Sequence, residues 1–335
     1  MRVLVTGGSS AIGGAVARHL AGRGDRVRVF QRRWSEVVGA DVEQVLGDVT
    51  DPDAVRHAAR DQDAVIHLAA RVGVAGDRAD YHAVNVDGTR HVIAAARAHG
   101  VRRFVHVSSP SVAHRGEPIL GAGADPAVTD HLGAHYPETK AVAELLALAA
   151  DSDELAVVVV RPHLVWGPGD EQLVGRIVER ARAGRLAIVG GGRALVDSTY
   201  LDDAAGALVA ALDAVAPGAR CAGRAYVVSN GEPRPIRDLV AGICAAAEVP
   251  FAPRDVPLGV ARRVGSAVEW WWRRSARTDE PPLTRFLADQ LGTAHWFDPR
   301  PARRDLGWSP STTLDEGFAA LRRWFATGEV APPDR

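Results

Sequence analysis

Tyr136-Pro137-Glu138-Thr139-Lys140 places a phenol and an ammonium four residues apart at the start of an Ala/Leu-rich stretch. On a helix that spacing puts both on one face, and Pro137 is tolerated because its missing N–H falls in the first turn. A fixed ammonium favours the ionised phenol, which moves a group of ordinary pKa about 10 toward neutrality and makes it a usable proton donor or acceptor. Such pairs also arise in helices by chance. Composition singles this one out, because of 40 basic residues only Lys140 is lysine and all others are arginine. Where Arg fills every tolerant position, the one lysine marks a site that needs a compact ammonium and has no room for a planar guanidinium. A third member is expected in Val107-Ser108-Ser109-Pro110-Ser111, where a serine hydroxyl donates to a carbonyl oxygen while Tyr136 delivers the proton. Ser108 and Ser111 also suit plain turn formation.

Near the N-terminus, Thr6-Gly7-Gly8-Ser9-Ser10-Ala11-Ile12-Gly13 follows a β-branched run and opens a helical one. A dinucleotide pyrophosphate requires this combination: a tight glycine turn, free backbone N–H groups and a helix N-terminus whose dipole favours negative charge. The residues expected around it are Gly7, Ser9, Ser10, Ala11, Ile12 and Gly13. An unliganded tight turn is the alternative. At the end of the next run stands Gln31-Arg32-Arg33, with no carboxylate to take a ribose 2′-hydroxyl. Arg32 suits a 2′-phosphate instead, so NADP(H) is the expected cofactor and NAD(H) the alternative. Further strand ends add Asp48 and Val49 at the adenine edge, and small residues at Leu68, Ala69 and Ala70 that let the backbone pass close to the cofactor.

These groups need a frame. Short β-branched runs at 2–6, 26–31, 43–46, 64–68, 103–108 and 155–161 alternate with helical stretches starting near Ile12, Ala54, Val86 and Pro137. That rhythm predicts a doubly wound α/β fold with a parallel sheet covered on both faces. After Arg161 it loosens into Pro/Gly turns, although 225–229 again reads as a buried strand. The expected organisation is a dinucleotide-binding domain over 1–161, to which 194–230 partly returns, and a smaller substrate-binding lobe over 162–330 interleaved with it.

Composition sets limits. The chain has 335 residues, 47% hydrophobic and 24% charged, with net charge −1, which argues against general nucleic-acid binding. Two cysteines, Cys221 and Cys244, make no disulfide framework or zinc motif and suggest a reducing cytoplasm. No metal site, signal peptide or membrane span is expected.

Together these motifs resemble the extended short-chain dehydrogenase/reductases, whose signature is a TGxxGxxG turn, a Ser/Thr after the fifth strand and YxxxK. Arg161-Pro162 with Val165-Trp166-Gly167-Pro168-Gly169 resembles the family's RPxxxxGPG turn, and Asn85-Val86-Asp87-Gly88-Thr89 its NVxGT helix start. The resemblance implies catalytic roles for Ser109, Tyr136 and Lys140 and nicotinamide contacts at Pro162 and Val165. Ser10 departs from the pattern, standing where the family has its middle glycine, with a side chain that either crowds the pyrophosphate or donates to it. Asp197-Ser198-Thr199-Tyr200-Leu201-Asp202-Asp203, the stretch 282–287 and 302–308 are similar to the 3β-hydroxysteroid dehydrogenase branch. Within it, 109–115, 195–200 and 229–233 most resemble bacterial 2-alkyl-3-oxoalkanoate reductases, which implies NADPH-dependent reduction of a β-keto acid in long-chain olefin or β-lactone biosynthesis. Such a lipid-like substrate requires a wide apolar pocket, expected from 163–200 and 250–297, and a cation for its acid end, for which His114, Arg115 and His163 are candidates.

Three other readings stay open: a sterol or 3β-hydroxysteroid dehydrogenase, a nucleotide-sugar epimerase or dehydratase, and a noncatalytic NADP sensor. Pro110 and Ser111 stand where a dehydratase needs an acid. The resemblance implies a homodimer through the Ala-rich helices near Val86 and Pro137, with a monomer as the alternative. The segment 260–274 carries three consecutive tryptophans between basic pairs and reads either as packed core or as a surface for a pathway enzyme or a membrane.

Overall fold

The computed structural model describes residues 1–36, 39, 42–73, 76–130, 135–274 and 283–328. Seven strands form the main sheet: β1 (Arg2–Thr6), β2 (Arg26–Gln31), β3 (Glu43–Leu46), β4 (Ala64–His67), β5 (Arg103–Val107), β6 (Ala156–Pro162) and β7 (Arg224–Val228). Their order is β3-β2-β1-β4-β5-β6-β7, and every pairing is parallel. The Val-rich β6 is buried along its whole length, as a strand covered on both faces must be. The order reverses between β1 and β4, and there the carboxyl ends of the strands open a crevice.

Helices α1 (Ala11–Gly22), α2 (Pro52–Ala58), α3 (Gly88–Ala98), α4 (His135–Ala149) and α5 (Leu201–Ala214) cover the sheet. The Asp51 carboxylate caps α2 by accepting from the backbone N–H groups of Asp53 and Ala54, with Pro52 at its first position. The expected helix start at Val86 is displaced: a π-helical turn, His82–Asp87, precedes α3. Helix α4 begins two residues before Pro137 and so includes Tyr136.

The two halves exchange strands. Strand β7 from the second half extends the main sheet, whereas Ile119–Ala122 from the first half joins a four-stranded sheet with Arg234–Pro235, Leu195–Val196 and His295–Phe297. Two buried carboxylates knit the second half. Asp197 accepts from Ser229 Oγ and the N–H groups of Ser198, Gly231 and Glu232. Asp203 accepts from Asn230, Ser311 and Thr312. The motif around 197–203 is therefore a framework element. Helices α6 (Leu258–Arg274) and α7 (Arg285–Gly292) pack together at the rim. Among the described residues, no helix is long and apolar enough to cross a membrane.

Candidate active site

One cleft of about 610 Å³ runs along the carboxyl ends of the strands, from the glycine turn to α7. Gly7 forms its floor with φ +79°, and a Cβ there would lie 2.9 Å from the Ala69 backbone nitrogen, so β1 and the exit of β4 meet with no room for a side chain. Ser9, Ser10, Ala11 and Ile12 line the cleft. Gly13 does not; it lies one step inside α1, where a Cβ would come within 2.4 Å of the Gly7 carbonyl, so its role is packing the turn against the helix. The Ser10 hydroxyl is engaged within the turn: it caps α1 by accepting from Gly13 N (3.1 Å) and donates to Gly7 O (2.9 Å).

The remaining expected cofactor residues also converge on the cleft: Arg32, Asp48, Val49, Leu68, Ala69, Ala70, Pro162 and Val165 all line it. Arg32 is exposed. Asp48 uses one oxygen to accept from the backbone N–H and hydroxyl of Thr50, both at 2.9 Å, which fixes the turn after β3. Beneath Ala69, His67 is buried and its pKa falls to about 3 through burial, with Lys140 adding to the effect. Thr89 Oγ1 donates to Asn85 O, so it accepts from His67 Nε2–H, and Thr6 donates to the unprotonated Nδ1. Ala69 N–H then donates to Thr6. A neutral histidine thus ties β1, β4 and α3 together under the cleft, a contribution that the small-residue motif alone did not disclose.

The groups expected to react sit just after β5 and at the start of α4. Tyr136, Lys140, Ser108, Ser109 and Ser111 all line the cleft. Lys140 is 3% exposed and its Nζ donates to the Val107 carbonyl at 2.6 Å. Burial lowers the ammonium from 10.5 to about 8, while Glu144 one turn later opposes the fall. The expected lowering of Tyr136 by Lys140 is not seen. Burial raises the phenol above its ordinary value, Tyr81 adds to this, and only a hydrogen bond with Ser109 opposes it. Ser109 accepts from the N–H and hydroxyl of Ser111 (3.3 and 2.9 Å), which leaves its own proton for Tyr136 or for an oxygen placed beside Tyr136. Ser108 carries a buried hydroxyl with no hydrogen-bond partner among the described residues, unlike the turn-forming Ser111.

A bidentate ion pair sets the position of α4. Arg161 Nε donates to Glu144 Oε2 at 2.9 Å and Nη2 to Oε1, with both side chains almost fully buried, and Nη1 reaches the Asp125 carbonyl at 2.8 Å. On the other side, Asn85 accepts from Arg71 N (2.7 Å) and donates to Arg71 O (3.1 Å) and Thr139 Oγ1 (3.0 Å). The segment after β4 is thereby held in register with the helix that carries Tyr136 and Lys140.

The three cations expected for an acid end are not cations of the cleft. Arg115 is exposed and does not line it, and His114 packs edge-on against Phe286 instead. His163 lines the cleft but is neutral, since burial, His295 and His114 hold its pKa well below 6.5. His295 Nε2–H donates to Gln290 O, so its Nδ1 accepts from His163 Nε2–H at 2.8 Å. The cation that sequence reasoning missed is Arg71. It lines the cleft, with its guanidinium 5.2 Å over the Tyr81 ring and 3.6 Å from Asp80. The expected apolar wall is supplied from the first range by Leu164, Val165 and Leu173, and from the second by Phe286 of α7.

A glycine floor closed to any Cβ, N–H groups at a helix start, and a buried hydroxyl unpartnered among the described residues in the cleft that Tyr136 and Lys140 line fit an elongated dinucleotide with a carbonyl compound at its end. Residues 4–252 match the model of the 3-beta hydroxysteroid dehydrogenase/isomerase family. A protein of Stenotrophomonas maltophilia named 2-alkyl-3-oxoalkanoate reductase is 48% identical over 96% of this chain and 98% of its own length. Its namesake in Shewanella oneidensis is 36% identical over 95% and 84%. Among solved structures, an epimerase from Methanothermobacter thermautotrophicus shares the fold, with TM-score 0.75, 23% identity and coverage of 97% of this chain and 92% of the other. Fold, cleft and sequence kinship agree: the chain belongs to the 3-beta hydroxysteroid dehydrogenase/isomerase family and is an NAD(P)-dependent oxidoreductase.

Proposed function

We propose that this enzyme uses NADPH to reduce the 3-keto group of 2-alkyl-3-oxoalkanoic acids to the 3-hydroxy acids, a step of long-chain olefin or β-lactone biosynthesis. The observation that carries the reading is the 48% identity, over nearly the full length of both chains, to a reductase so named. Bound NADPH would supply a hydride to the carbonyl carbon. The chain supplies the rest. The Ser109 hydroxyl, its acceptor side held by Ser111, donates to the carbonyl oxygen. Tyr136 delivers its proton to the oxygen as negative charge develops, and a phenol whose pKa is raised by burial holds that proton until then. Lys140 binds the ribose and steadies the phenol. Arg32 takes the 2′-phosphate, and Arg71 pairs with the substrate carboxylate while the alkyl tails lie along Leu164, Leu173 and Phe286.

The test is NADPH consumption across 2-alkyl-3-oxo acids, simple 3-oxo acids and 3-oxosteroids, with Michaelis constants for NADPH and NADH. The expected preference is for doubly alkylated acids and NADPH. Turnover confined to steroids would return the enzyme to the sterol dehydrogenase reading, and a clear NADH preference would remove Arg32 from its role.

A further inference from the structure

Helix α6 presents a continuous outward stripe: Val260, Arg263, Val264, Ala267, Trp270, Trp271 and Arg274 are all exposed. At 100° per residue these seven positions fall within an arc of about 120°. The tryptophans are 58% and 48% exposed, and the valines 47% and 46%. The helix is nevertheless well anchored on its other face. Ala261 is fully buried, and a Cβ on Gly265 would lie 2.6 Å from the backbone of Thr284, so α6 lies in close contact with the start of α7. Its polar inner groups are used there as well: Arg262 pairs with Asp289 at 2.6 Å, and Glu269 accepts from Arg285 N at 2.9 Å.

We propose that this stripe is a docking surface for an anionic lipid bilayer. Two features choose the occupant. The charged residues of the exposed stripe are Arg263 and Arg274, and Glu269 is turned to Arg285, so the face complements a negatively charged plane. Indole rings beside guanidinium groups, with Arg274 stacked 4.2 Å over Trp270, form the pairing that settles at a headgroup boundary, where an apolar body and a polar edge are both accommodated. A second copy is disfavoured, since two-fold pairing of this face sets arginine against arginine. The location gives the surface a use. Its partner helix α7 carries Phe286 and Gln290 into the cleft, so docking brings the apolar end of the cleft beside the bilayer from which a lipid-like substrate is drawn.

Flotation of the full chain with vesicles of phosphatidylcholine alone, or of equal parts phosphatidylcholine and phosphatidylglycerol, tests this directly and does not depend on the identity of the substrate. The protein is expected to float with the mixed vesicles and at least about tenfold less with phosphatidylcholine alone or at high salt. Trp270→Ser with Trp271→Ser, and separately Arg263→Glu with Arg274→Glu, are each expected to lower the floating fraction about tenfold while NADPH consumption in solution is retained. Val264→Asp, which leaves the aromatic pair intact, guards against a folding defect. Equal binding to both vesicle types, or no binding, overturns the proposal. So does a wild-type dimer that Val264→Asp splits, because the face would then be a contact between copies.

Discussion

Lys140→Met separates what the buried ammonium does for the reaction from what it does to the fold. Its pKa falls from 10.5 in the open chain to about 8 in the native protein. At about 1.4 kcal/mol per unit, holding the charge inside costs roughly 3 kcal/mol of stability wherever both states are protonated, which means below pH 8. Methionine has similar length and no charge, so it removes that cost. It also leaves the Val107 carbonyl without the donor now 2.6 Å away, a loss of about 1–3 kcal/mol. The balance below pH 8 is a variant between unchanged and about 2 kcal/mol more stable than the wild type, with turnover lowered about 10²–10⁴-fold. Between pH 8 and 10.5 the native protein binds fewer protons than the unfolded chain, so the wild type gains stability as pH rises and the advantage of the variant fades. Urea unfolding at pH values on either side of that interval, together with steady-state NADPH consumption, measures both effects. A variant less stable than the wild type by more than about 2 kcal/mol below pH 8, or one that keeps over about a tenth of the turnover, would refute the reasoning. Lys140→Arg keeps the net charge but forces a larger cation into the same space, so it is expected to lose turnover and about 1–3 kcal/mol of stability together.

Ser10→Gly removes a hydroxyl that is occupied inside the turn, so the dissociation constant for NADPH by fluorescence titration is expected to change by less than about threefold, with a few tenths of a kcal/mol of stability lost. Arg71→Gln is expected to raise the KM of an oxo acid about 10–100-fold while leaving the turnover of its methyl ester near wild type, which distinguishes carboxylate binding from damage to the site. Glu144→Gln leaves the Arg161 guanidinium buried without its counter-charge, and urea unfolding is expected to show about 3–5 kcal/mol of destabilisation.

The strands were legible because burial on both faces demands unbroken apolar runs, and the Val-rich stretch after Leu155 can form little else. The π-helical turn before α3 was not, since an i→i+5 hydrogen-bond register leaves no mark in composition. Lys140 stood out as a solitary lysine, yet its acceptor is a backbone carbonyl 33 residues earlier, which only the packing of α4 against β5 reveals. Arg71 had the opposite problem: in a chain whose other cations are all arginine, one more carries no signal until Asn85 is seen holding its backbone. His163 failed as a cation because its partner, His295, lies 132 positions away, and nearby sequence gave no warning of a neutral, buried pair.

The pairing of β7 with β6 has a consequence for synthesis. Until Arg224–Val228 leaves the ribosome, the outer edge of β6 is an unpaired row of backbone donors and acceptors on a Val-rich strand, a template for pairing with other chains. At about 5–20 residues per second that exposure lasts roughly 3–13 s for every molecule made. Yield in the cell should therefore depend on the rate at which residues 163–228 are translated and on chaperones that hold the nascent edge, even where the finished enzyme is stable.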